Sequence, residues 1–457
     1  MGDGVGLRNF AYTGFYEIGK SEGFDVVYWN TTPFDLTSLG FSEIKIKNTK
    51  LHPFTAIYKN ARTQIELNLF IRKTKDKVYD SYRFPFSYKT TKIIVKNCFA
   101  KMLIVTHSSN IGLKRIRRKI KESERKTLYY HQCLATLQKE NPAIVFSTNQ
   151  RLSTSIAPLL AAQDLGITTA TFIFSWDNLP KATMVVETDY YFVWSEHMKK
   201  ELRFYYPYIN ENQIIVTGTP QFESHFDDSK LIPKQKFFET YQLDLNKKYI
   251  CYSGNDITTC PDDSQYLLDV AKAVRFLNTQ GHSLGIIFRR CPVDFSNRYD
   301  KTLEDYKDII VPIAPKWERK GEMWNAVLPT PEDLILQMNT IEHSDFVINL
   351  GSSMVFDYVA RHKSCAYINY NVANKEKKDW SVAKIYNFVH FRSMPNKKTV
   401  HWIDNSQCIV SVIQKALLDN DTTIQSAEEW FQIINQHPPQ NASKRIWKGI
   451  ESVISKE

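Results

Sequence analysis

Short, almost wholly apolar runs that alternate with helical segments constrain this chain more than any other feature. Residues 143–146, 168–174, 190–194 and 214–217 are such runs, and helical stretches at 155–165 and 196–206 lie between them. A strand without alternating polar positions is buried on both faces, as in a parallel sheet covered by helices on each side. The run 102–105 (MLIV) reads as an earlier strand, and Asn141-Pro142 as the turn signal before residue 143. A polar stretch at 227–235, with Pro233 inside it, reads as a linker. The pattern then restarts, with strands at 249–252, 284–288, 308–311, 346–350 and 365–368 and helices at 262–277 and 354–361. A further helix opens at Thr330-Pro331-Glu332-Asp333, with Thr330 as N-cap, proline at the first helical position and acids in the first turn. The fold class expected is α/β, with two Rossmann-like domains facing a cleft. Their bounds are 1–233 and 234–425, and helices at 426–457 return to the first domain.

At 457 residues, 43% hydrophobic and 24% charged, the chain has the balance of a globular protein with room for two cores. No run approaches the roughly 20 apolar residues of a membrane helix, and the start lacks the pattern of a signal peptide. A cytoplasmic location is expected. The seven cysteines form no CxxC pair and no zinc-like spacing with histidine, so neither a disulfide framework nor a metal site is expected. The net charge of +10 favours anionic partners. Part of it is concentrated in KRIRRKIKESERK, from Lys114 to Lys126, where Leu113, Ile116 and Ile120 recur at helical spacing. This is a basic amphipathic helix, either a solvated face or a peripheral contact with anionic membrane.

The segment Leu350-Gly351-Ser352-Ser353-Met354 leaves a strand, turns at glycine and enters a helix. Glycine permits a tight bend, serine caps the helix, and free amides at a helix start favour an anion. Asp357 follows Ser353 by four residues, on the same face one turn deeper, where a carboxylate suits ribose or sugar hydroxyls. The plain alternative is an ordinary N-cap and a solvated aspartate.

Phe192-Val-Trp-Ser-Glu196, Ile215-Val-Thr-Gly-Thr-Pro220 and 345–357 (DFVINLGSSMVFD), taken in order, resemble GT-B glycosyltransferases. The closest flavour is that of bacterial surface-polysaccharide transferases and the related CDP-glycerol glycerophosphotransferases, within the broad group of UDP-glycosyltransferases and glycogen phosphorylases. The resemblance extends over about residues 143–370. It implies a donor nucleotide on the C-terminal domain, an acceptor on the N-terminal one, and donor contacts at Ser253, Gly254, Asn255, Gly351, Ser352, Ser353 and Asp357. Arg289, with Arg290, ends the 284–288 run at the sheet edge where α/β folds bind ligands. There a guanidinium suits a diphosphate, unless the pair is merely a surface one.

The N-terminal Gly2-Asp3-Gly4-Val5-Gly6 reads as a glycine-rich loop running into a helix, with a strand at 24–28. The glycines are spaced G-x-G-x-G, not in the dinucleotide pattern, and the strand that should precede such a loop is missing. A transferase of the inverting kind needs a base for the acceptor hydroxyl. Asp177, in Ser175-Trp176-Asp177-Asn178, and Asp3 are the candidates, with His107 a third choice. An Asx-type turn at Asp177 and a frayed terminus at Asp3 are the structural alternatives. Arg8 is a candidate to hold an anionic acceptor or the diphosphate.

The function expected is transfer of a sugar from a nucleotide diphosphate sugar to a glycan or lipid-linked acceptor, with no metal and no further cofactor. Glycerophosphate transfer from CDP-glycerol, nucleotide-sugar 2-epimerisation and a non-catalytic membrane-associated scaffold are the alternatives. No nucleic-acid module or interleaved basic-aromatic stripe is present.

Overall fold

Two compact units divide the chain, residues 1–220 together with 434–457, and residues 221–433. The computed structural model describes residues 1–320, 327–418 and 420–455. The polar stretch at 227–235, expected as a linker, lies inside the second unit and the chain crosses at Pro220 instead.

The first unit opens with a three-residue turn α1 (Gly4–Gly6), a π-helical turn over Leu7–Ala11 and helix α2 (Phe15–Ser21). Gly4 and Gly6, expected in a loop, are thus part of a helical start. Strands β1 (Tyr28–Asn30) and β2 (Glu43–Lys45) pair in parallel as a small sheet of their own. A helical layer follows: α3 (Thr55–Thr74), α4 (Thr91–His107), α5 (Asn110–Glu124) and α6 (Leu128–Glu140). The run 102–105, expected as a strand, is the last part of α4. The Thr90 hydroxyl caps this helix by accepting from the Ile93 amide at 3.3 Å. Only Ala100 and Leu103 of α4 are fully buried, so its other apolar side chains do not report a strand core.

The parallel series begins at β3 (Ile144–Ser147), then α7 (Ile156–Asp164), β4 (Thr168–Phe172), β5 (Tyr190–Val193), α8 (Glu196–Tyr205) and β6 (Ile214–Val216). These strands form one parallel sheet in the order β3-β4-β5-β6. Its register matches Ile144 with Thr168, Ala170 with Tyr190 and Tyr191 with Ile214. Met1 runs beside β1: its amino group donates to Trp29 O at 2.6 Å and its carbonyl accepts from Thr31 N at 2.9 Å. A cavity of about 50 Å³ is lined by Met1, Trp29 and Ile46 on one side and by Val145 and Phe146 of β3 on another.

The second unit contains α9 (Lys234–Tyr241), β7 (Lys248–Ser253), α10 (Asp263–Thr279), β8 (Leu284–Arg289), α11 (Asp300–Asp305) and β9 (Ile310–Pro312). A short antiparallel pair, β10 (Trp317–Arg319) and β11 (Val327–Pro329), precedes α12 (Pro331–Glu342). Then come β12 (Phe346–Asn349), α13 (Met354–Val359), β13 (Cys365–Ile368), α14 (Val382–Tyr386), β14 (His401–Ile403), α15 (Ile409–Leu418) and α16 (Asp421–Ile434). The six-stranded parallel sheet has the order β14-β13-β12-β7-β8-β9. From β7 the chain builds outward to β8 and β9, and from β12 to β13 and β14 on the other side. The direction of winding therefore reverses between β7 and β12, which makes that boundary the switch point of the sheet.

The last helix, α17 (Ala442–Ile454), returns to the first unit. Trp447 stacks on Phe15 and Phe24, each with ring centroids 4.8 Å apart, and its indole N–H donates to Phe15 O at 2.7 Å. The expected return of the tail holds for α17, whereas α16 belongs to the second unit.

Candidate functional site

The pairing of Ile348 with Tyr252 in adjacent strands brings the ends of β12 and β7 side by side. Ser253-Gly254-Asn255 leaves the one, and Leu350-Gly351-Ser352-Ser353 leaves the other. Register also sets Ser253 opposite Arg289 at the end of β8. The expected donor residues Ser253, Gly254, Asn255, Arg289, Gly351, Ser352 and Ser353 are thus gathered along the C-terminal edge of three neighbouring strands, at the switch point.

Asp263 at the start of α10 shapes the first of these loops. Its carboxylate accepts from the Asn255 amide at 3.0 Å and from the hydroxyls of Tyr252 at 3.0 Å and Tyr299 at 2.5 Å. Burial pushes its carboxyl above the usual range. A Cβ at 254 would be crowded, lying 3.2 Å from the Tyr299 hydroxyl and 3.3 Å from Asp263 and Phe288.

Arg289 is buried and spends one nitrogen inside the protein. Its Nη2 donates to both carboxylate oxygens of Asp333 at 2.9 Å, so the arginine is not the free diphosphate clamp the sequence suggests. Asp333 also accepts from the Lys316 amide at 2.8 Å and the Trp317 indole at 2.6 Å, a set of donors that holds its charge in place. The Nη1 atom of Arg289, however, is buried without a hydrogen-bond partner. Arg290 turns away to Ser296 O at 3.0 Å. Thr330 is the N-cap residue of α12, as expected, but its hydroxyl donates to Lys316 O at 2.9 Å and makes no cap bond.

The turn after β12 corrects another expectation. Gly351 has φ of +61°, and a Cβ on it would sit 2.8 Å from Ile385 and 3.1 Å from Phe391, so one side of the turn is covered. The Ser352 amide is already satisfied by the Asn349 side chain at 2.9 Å, and the Met354 amide by the Ser352 hydroxyl at 3.3 Å. Asn349 at the strand end and Ser352 within the turn thus occupy two amides that were assigned to an anion. Ser353 makes no side-chain cap bond, and its hydroxyl is unspent. Asp357 does not face a sugar: it is buried and accepts from Nε2 of buried His225 at 2.8 Å.

Farther along the same edge, a cavity of about 600 Å³ opens beside the ends of β13 and β14, lined by Asp269, Tyr370, Asn371, Asp404 and Asn405 among others. Sequence reasoning missed it, because its walls, two loops and one face of α10, carry no motif.

In the first unit, Asp3 is no frayed terminus. It is buried, accepts from the Gly6 amide at 2.7 Å, and takes the Asn149 side-chain amide on its other oxygen, which ties α1 to the loop after β3. Arg8 is half-buried and donates through Nε to Asn9 Oδ1 at 3.2 Å. Asp177 accepts from the Ser175 hydroxyl at 2.6 Å and the Asn178 side chain at 2.7 Å, and it pairs with Lys181. His107 ends α4, with Nδ1 2.8 Å from the Thr106 hydroxyl.

Glu201 on α8 is a residue the sequence reading did not single out. Burial, with the negative charge of Asp177 second, pushes its carboxyl up to about 8. Its Oε1 lies 3.8 Å from His197 Nε2, and its Oε2 is buried without a partner. The i,i+4 spacing of His197 and Glu201 directly after β5 was the available signal. Lys59 on α3 is another shifted group of the first unit: burial and the charges of Arg62 and Arg151 push its amine down to about 8.

The basic run in α5 is partly neutralised. Arg117 bonds Glu66 and Glu187, Lys121 bonds Glu187, and Arg125 forms a forked pair with Asp164 at 2.7 Å. Among the described residues no helix is long and apolar enough to cross a membrane, and no cluster of metal-ligating side chains occurs.

Two Rossmann-like α/β units with parallel sheets give a GT-B-like fold. No protein-family model and no curated protein sequence matches the chain. A glycosyltransferase structure from Rickettsia africae is similar with a TM-score of 0.52 at 12% identity, covering 99% of this chain and 96% of that one. The UDP-GlcNAc 2-epimerase of Methanocaldococcus jannaschii, solved with UDP-GlcNAc and UDP, gives 0.45 at 13% over 99% and 98%. S. aureus MnaA, solved with UDP, gives 0.47 at 15% over 87% and 94%. At these identities the likeness is one of fold.

Proposed function

We propose that the chain is a glycosyltransferase that binds a nucleotide diphosphate sugar on its second unit and passes the sugar to a glycan or lipid-linked acceptor. The observation that carries this reading is the adjacency of the Gly254 and Gly351 turns at the switch point of the six-stranded sheet. Open α/β sheets bind ligands outside the carboxyl ends of the strands at that point. Two donors remain unspent along the edge, the Ser353 hydroxyl and Nη1 of Arg289. An arginine anchored through one nitrogen and free at the other is pre-oriented, so it loses little side-chain entropy when it meets a phosphate oxygen. The same donors would stabilise charge on the departing diphosphate. For the acceptor's proton, Asp177 remains our candidate base, with Asp3 second and Arg8 as an acceptor contact. Glu201, whose carboxyl is pushed up by burial and by the charge of Asp177, supplies a second carboxyl beside it that holds its proton and suits an acid role.

Titration calorimetry with UDP, CDP, GDP and dTDP tests the donor site. One of them should bind at micromolar or tighter Kd, and Ser353→Ala should weaken it about tenfold, the worth of one charge-assisted hydrogen bond. The matching nucleotide sugar should then release its nucleoside diphosphate only when a lipid or glycan extract is present. Release or isomerisation without acceptor would favour an epimerase, and no binding of any of the four would overturn the reading.

A further inference from the structure

The helical layer of the first unit carries an apolar stripe on its solvent side. On α4, Ala100 and Leu103 bury inward, while Val95, Met102 and Val105 stand 64%, 52% and 82% exposed. Their spacing follows one face of the helix. Ile111 at the start of α5 and Phe84 before α4 are also exposed, at 69% and 85%. The Lys101 ammonium lies 5.3 Å from the Phe86 ring and 5.2 Å from the Tyr88 ring, which holds the 84–88 segment against α4. An apolar cavity of about 410 Å³ continues the surface, lined by Phe54, Ile57, Val95 and Phe99 with Lys92 and Lys96. Exposed apolar area of this extent marks an interaction surface.

Charge identifies what the surface meets. From Ser81 to Lys121 the chain carries eleven lysines and arginines and no aspartate or glutamate. Lys92 and Lys101 on α4 and Lys114, Arg115, Arg118 and Lys119 on α5 are exposed, whereas Arg117 and Lys121 are tied to Glu66 and Glu187. The acid nearest in sequence on α5, Glu122, bonds only Arg118, at 3.3 Å.

We propose that this face of α4, with the exposed cations of α5, docks the protein on an anionic lipid bilayer. Cations gain energy beside anionic headgroups, and apolar side chains that lie between them gain by entering the acyl boundary. A nucleic acid would satisfy the cations but leave Val95, Met102 and Val105 in water. The inference stands apart from the nucleotide reading, since it uses none of the residues at the switch point.

Sedimentation with extruded vesicles tests it. The wild-type protein should pellet with vesicles of phosphatidylcholine and phosphatidylglycerol in equal parts, and stay in solution with phosphatidylcholine alone. The Lys92→Gln/Lys114→Gln/Lys119→Gln variant should bind about a hundredfold more weakly. The Val95→Ser/Met102→Ser/Val105→Ser variant should lose at least about tenfold, because each lost apolar side chain removes transfer energy. All six side chains are on the surface, so circular dichroism and Tm should match wild type. Failure of the wild type to pellet with the mixed vesicles would overturn the proposal, as would undiminished binding by the apolar variant. So would binding of an RNA oligomer, sensitive to the lysine variant, by a protein that ignores vesicles.

Discussion

Asp357 accepts the Nε2–H of His225 at 2.8 Å, with both side chains buried and His225 Nδ1 left without a partner. Asp357→Ala would strip the ring of its remaining bond. A buried bond to a charged group contributes about 1.5–3 kcal/mol, so urea unfolding should show a loss of that order. Asp357→Asn, which keeps an acceptor, should lose less. Nucleoside diphosphate affinity of the folded Asp357→Ala protein should stay within about twofold of wild type, since a carboxylate held by His225 has no ligand to serve.

The Arg289–Asp333 pair sets a sharper contrast. Asp333→Ala leaves a buried guanidinium uncompensated and should cost about 3–5 kcal/mol in a denaturant titration. Arg289→Lys retains the charge but not the fork. It should cost less stability and lower nucleoside diphosphate affinity about tenfold by calorimetry.

Gly351→Ala meets two penalties. The left-handed backbone costs a residue with a Cβ about 1 kcal/mol or more, and the new methyl lies 2.8 Å from Ile385 with Phe391 behind it. A loss of about 2–4 kcal/mol is expected from the two combined. Adding Ile385→Ala should recover the steric part, so the double variant should melt above the value obtained by summing the single losses.

Glu201 makes stability depend on pH. Its folded carboxyl is pushed up to about 8, whereas in the unfolded chain it titrates in the ordinary carboxylate range. The folded state therefore binds the proton more tightly, and stability falls as pH rises from that range through about 8, then levels. Glu201→Gln should match wild type near pH 4.5 and exceed it at pH 9, with a Tm gap of at least about 4 °C. In an Asp177→Asn background the pH midpoint of the wild-type loss should move down, because one source of the upward push is gone.

The parallel architecture was legible where apolar runs are short and flanked by breakers: 143–146, 190–194, 284–288 and 346–350 all became strands within a residue or so. The run 102–105 looked the same but lies in α4, because the cap that begins that helix stands at Thr90. Four apolar residues carry no period long enough to tell helix from strand. At the site, turns and their glycines could be read from local chemistry, as at Gly351. Partners could not. Asp333 lies 44 residues from Arg289, and His225 lies 132 from Asp357, and no spacing rule relates them. The sequence shows where a charged group sits, but only the fold shows whether its charge is already spent.

The return of α17 to the first unit has a consequence for how the chain is made. Trp447, which stacks over Phe15 and Phe24, leaves the ribosome after the whole of the second unit has been translated. Until then Phe24 and the face of Phe15 that Trp447 covers stay open to water, although Phe15 already meets Phe10 and Phe146. A nascent chain halted between the end of α16 and the start of α17 would thus display a finished second half and a sticky, unfinished first half.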